Sequence, residues 1–97
     1  MNKIELMQLT KKLLEKFFTD ASAIRVEYNT TDGNKINFIV TLKGTRHNGF
    51  IYHSQRLTVK DVRNILFSFK RRVIQSLKKE APIANSTTEK IQSGADK

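Results

Sequence analysis

The chain has 97 residues, no cysteine, two histidines and a formal net charge of +9, from 18 lysines and arginines against 9 acids. That length holds one domain, and without cysteine there is neither a disulfide nor a thiolate metal site. Lysines at 11, 12 and 16 interrupt the apolar pattern near the N-terminus, so neither a signal peptide nor a membrane span is predicted there. We expect a cytoplasmic chain with no membrane association. A positive balance of this size favours nucleic acid, an anionic membrane surface or an acidic protein as partner.

Residues 2–19 read as a first helix. Leu6, Leu9, Leu13 and Phe17 share a stripe that Met7, Leu14 and Phe18 widen, while Glu5, Gln8, Lys12, Glu15 and Lys16 take the other side. Residues 23–29 then alternate, with Ile24, Val26 and Tyr28 on one face and Arg25 and Glu27 on the other, the pattern of a half-buried strand. Asp32-Gly33 predicts a tight hairpin turn with positive φ at both positions. A second strand follows over 34–43. It sends Ile36, Phe38, Val40 and Leu42 inward and Lys35, Asn37, Thr41 and Lys43 outward, with Ile39 as an outward exception.

The segment 44–49, GTRHNG, reads as a second turn carrying Arg46 and His47. A third strand is predicted over 50–54. Its phase stays open: Phe50 and Tyr52 face the core, or Ile51 and His53 do. In the first phase, Ile51 would pair with Ile39 on the open face.

The last predicted helix, 56–79, is the most charged part of the chain. It holds eight basic residues and one acid, and so carries +7 of the net +9. Thr58 and Asp61 have the spacing of an N-terminal capping box. Val59, Val62, Leu66, Phe69, Val73, Ile74 and Leu77 share an apolar side, with Ile65 at its edge. Lys60, Arg71 and Lys78 share another side, on which Phe67 also falls. Arg63 and Lys70 stand at the border, and Arg72 and Lys79 on the far side. Phe67 either packs at the core edge against the first helix or stacks on a partner. Pro82 is expected to stop the helix soon after Lys79. From Ile83 the composition turns polar and aperiodic, which predicts a disordered tail over 83–97 and an ordered domain over 1–82.

The expected fold is therefore α+β: a three-stranded antiparallel meander with both helices on one face, in the order αβββα. The other sheet face is left to water. Little in this inventory supports catalysis. His47 is expected in a solvated turn and His53 partly buried in a strand; the acids at 5, 15, 20, 27, 32 and 61 are scattered, and no glycine run can cradle a phosphate. We expect no enzyme activity, metal or cofactor.

The order helix, three strands, helix resembles the double-stranded-RNA-binding domain. In that family basic residues at the start of the last helix meet phosphates, and here Thr58-Val59-Lys60-Asp61-Val62-Arg63 occupies that place. The resemblance implies that Lys60 and Arg63 correspond; the family's run of consecutive lysines is absent. The order is also similar to that of ribosome hibernation factors. Leu14-Glu15-Lys16-Phe17-Phe18 leading into Ile24-Arg25-Val26, and the basic helix end over 69–79, carry that likeness, without the strand that opens that family.

These readings converge on a basic accessory protein that binds nucleic acid, structured RNA ahead of DNA. The candidate contacts are Lys60, Arg63, Phe67, Lys70, Arg71 and Lys78 of the last helix, with Arg46, Lys35 and Lys43 in support. The alternative is a phage- or plasmid-type accessory factor or inhibitor that docks on an acidic surface of a larger nucleic-acid enzyme. A homodimer through Ile39, Ile51 and Phe67 is a third possibility.

Overall fold

The computed structural model describes residues 1–83, with side chains placed as far as Lys78. It has five elements: α1 (Lys3–Phe17), β1 (Ala23–Tyr28), β2 (Lys35–Leu42), β3 (Thr45–Tyr52) and α2 (Val59–Ile83). The strands form one antiparallel sheet in the order β1-β2-β3. Both helices cover the same face, α1 against β1 and α2 against β3, and they touch each other.

Each helix is started by its own sequence. Asn2 caps α1: its Oδ1 accepts from the Glu5 N–H at 2.8 Å, and Glu5 Oε1 accepts from the Asn2 N–H at 2.9 Å. Thr58 and Asp61 repeat the arrangement at α2, at 3.0 and 3.1 Å. Leu6, Leu13 and Leu14 of α1 meet Val62, Leu66, Phe69 and Val73 of α2 over Ile36, Phe38, Val40 and Leu42 of β2 in one core. The Phe69 ring joins the layers, lying edge-on to Phe38 at 4.8 Å and to Phe18 at 5.7 Å. Thr10 is also fully buried in α1, a polar residue that the apolar stripe did not announce.

Four expectations are corrected. First, the tight positive-φ turn is not at Asp32-Gly33 but at Lys43-Gly44, whose φ values are 50° and 81°. These two residues join the paired Leu42 and Thr45, the geometry that matches the twist of the flanking strands. The β1–β2 connection is instead a wider loop. There the Asn29 carboxamide accepts from the N–H groups of Thr31 and Asp32, and the Asp32 carboxylate accepts from the Asn34 N–H.

Second, the segment 44–49 is not a turn, because β3 begins at Thr45 and pairs with β2 along its whole length. His47 accordingly lies on the inner face opposite Val40, part-buried, with its Nε2 unpaired. His53 lies just past β3, where its Nε2 meets the Met1 carbonyl oxygen at 2.8 Å.

Third, the phase of β3 places Ile51 in the core opposite Ile36, and Ile39 pairs with Asn48. The surface pairing of Ile39 with Ile51 is not made, and Ile51 is withdrawn from any dimer face. Fourth, α2 runs to Ile83, past Pro82. The tail expected over 83–97 lies, apart from Ile83, outside the described residues.

Candidate nucleic-acid interface

Val62, Leu66, Phe69 and Val73 of the apolar stripe of α2 are buried, whereas its Val59, Ile65 and Ile74 stay exposed, and the basic side faces outward. Lys60, Arg71 and Lys78 are all exposed. At 100° per residue they lie within about 20° of one another and span about 27 Å along the axis. Arg63 is exposed on the flank of this line, and Lys70 is half-buried beside it. Among the described residues the one ion pair is Arg25 with Glu27 at 3.4 Å. No carboxylate among the described residues neutralises these five side chains.

Asp61, the acid of this segment, is engaged within its own capping box. The Thr58 backbone N–H, then the Thr58 side chain and the charge of Lys60, hold its carboxyl below the ordinary carboxylate value.

Phe67 takes the first of its two expected places, at the core edge against the first helix. Its ring sits 5.1 Å from that of Phe17 in α1, tilted by 31°, so it packs at the helix–helix seam. It is nonetheless 51% exposed. With Asn64, Ser68 and Arg71 it lines a hollow of about 410 Å³ on the outer side of α2. The Lys70 ammonium lies 5.8 Å from the Phe17 ring centroid, which brings that charge to the same seam.

The supporting residues lie elsewhere. Lys43 is exposed at the tip of the β2–β3 hairpin. Arg46 stands on β3 opposite Thr41, on the sheet face that the helices leave open. Lys35 is on that same face, opposite Tyr52, with its ammonium 4.1 Å from the Phe50 ring centroid. The nine candidates therefore divide among the outer side of α2, the hairpin tip and the open sheet face, with Arg46 also reaching the hollow between β3 and α2.

Two groups were missed by sequence reasoning. Arg72, which the helical wheel places away from the main stripe, lines a hollow of about 240 Å³ with Arg46 and His47, between α2 and β3. Only the extension of β3 back to Thr45 brings that strand alongside α2 there. Phe50 and Tyr52 are the second group. Both project from the open face, and the signal that would have found them is Gly49, discussed below.

Among the described residues no cluster of histidine and carboxylate groups is arranged to hold a metal ion, and no helix is long and apolar enough to cross a membrane. Set against known protein families, the curated proteins and the solved structures, the chain matches none of them.

Proposed function

We propose that the chain is a small, non-enzymatic nucleic-acid-binding protein of the cytoplasm, which seats a phosphate backbone along α2. The observation that carries this reading is the line of Lys60, Arg71 and Lys78, flanked by Arg63 and Lys70, with no carboxylate partner among the described residues. Such a line can follow a polyanion, and each neutralised phosphate releases counterions. Structured RNA stands ahead of DNA on the αβββα order, an analogy at the level of the fold.

A gel-shift titration with a hairpin RNA and a DNA duplex tests the proposal. A retarded band is expected at low salt, fading as salt rises and lost in the Arg71→Glu/Lys78→Glu variant. No shift at low salt with either ligand overturns it.

The second reading, an accessory factor docked on an acidic protein, draws on the same charge and on the two edge strands of a three-stranded sheet. It is supported instead if a pull-down recovers one acidic protein after nuclease treatment.

A further inference from the structure

The open face of the sheet carries more than solvated polar groups. Phe50 and Tyr52 are 49% and 54% exposed, and their rings meet edge to face at 5.4 Å. Each ring restrains the other, so both present aromatic surface at little further entropic cost. Asn37 is the cross-strand partner of Phe50, and Asn48 lies on the same face opposite Ile39. Neither carboxamide has a hydrogen-bond partner among the described residues. With Glu27, Lys35, Ile39 and Phe50, these two asparagines line a hollow of about 330 Å³, its acid at the β1 side.

The charge on this face is uneven. On β1, Glu27 is held by Arg25 at 3.4 Å. Toward β3, Lys35 and Arg46 have no carboxylate partner among the described residues, which favours an anion on that side.

We propose that this face is a second binding surface, which takes unpaired bases of single-stranded RNA. Bases stack on Phe50 and Tyr52, their edges meet the carboxamides of Asn37 and Asn48, and the phosphates run beside Lys35 and Arg46. The Lys35 ammonium now stands over the Phe50 ring, and an incoming base displaces it toward the phosphate. The inference rests on the reading above for the class of partner, but its aromatic pair lies on the sheet face that α2 does not cover.

Octauridylate, the same backbone without bases, and a hairpin RNA separate the two surfaces when binding is read by fluorescence anisotropy. Phe50→Ala/Tyr52→Ala is expected to weaken octauridylate binding by about tenfold or more, and the abasic strand to bind the wild type as weakly as octauridylate binds the variant. Hairpin binding through the paired stem persists in this variant, which loses only what the unpaired loop contributes. Should it fold poorly, Phe50→Leu/Tyr52→Leu removes the rings, keeps apolar bulk, and is expected to show the same loss. The proposal is overturned if wild type fails to bind octauridylate, if the abasic strand binds as tightly, or if losing the rings leaves affinity unchanged. It is also overturned if their loss dissociates a dimer seen by light scattering, which would assign the face to a second copy. Failure of the hairpin arm alone removes the α2 reading and leaves this one standing.

Discussion

Gly49 stands opposite Phe38 in the β2–β3 ladder, and a methyl group added to it would lie 2.5 Å from the Phe38 ring and 3.1 Å from that of Phe69. The glycine is therefore the space into which the central ring of the core packs. It also sets the phase of its strand. With Gly49 inward, Phe50 must project from the open face and Ile51 must enter the core.

Gly49→Ala is accordingly expected to destabilise the fold by about 1–3 kcal/mol through overpacking. Urea denaturation reads this directly. An unchanged midpoint would mean that the rings move aside freely.

Thr10 offers a test of opposite sign. It is fully buried in α1, and its hydroxyl has no hydrogen-bond partner among the described residues. A buried unpaired hydroxyl is costly, and valine keeps its shape without that group. Thr10→Val is expected to raise stability by about 1 kcal/mol in the same denaturation experiment. A loss of stability would show that the hydroxyl is bonded in solution.

The fold was legible where burial and polarity alternate locally. Ile36, Phe38, Val40 and Leu42 mark the inner face of β2 without help from any other segment, and the four buried residues of α2 lie where their spacing puts them. β3 was legible only in part. Its inward positions include His47 and Gly49, neither of them apolar enough to mark a core face, so Thr45–Gly49 looks like a turn in isolation. What makes this stretch a strand is the room that Phe38 and Phe69 require, a demand made by other elements. The same gap hid the aromatic pair of the open face. Turn chemistry misled in a similar way. Asp32-Gly33 has the preferred residues for a tight hairpin, but the side chains of Asn29 and Asp32 organise a longer loop, and Lys43 accepts the positive φ instead. The charged line of α2 was readable because helical period alone sets it.

The start of α2 should respond to acid. The carboxyl of Asp61 is held below its ordinary value of 3.8, first by the Thr58 backbone N–H. A carboxyl whose pKa is lower in the folded than in the unfolded chain adds stability above the unfolded value, and that contribution fades as pH falls through the folded value. Wild type is therefore expected to be more stable than Asp61→Asn at neutral pH, with the difference closing in acid. Denaturation midpoints of both proteins at neutral pH and below the folded-state pKa check this. A constant difference would mean that the carboxylate charge is not what closes the cap.

The line of cations on α2 is tested most directly by salt dependence. If Lys60, Arg63, Lys70, Arg71 and Lys78 each neutralise a phosphate, the logarithm of hairpin-RNA affinity should fall against the logarithm of salt with a slope of about −3.5 to −4.5. Replacing Lys60, Arg71 and Lys78 by glutamine should make that slope shallower by about two to three units. Equal slopes for the two proteins would contradict the assignment of α2 as the phosphate-binding surface.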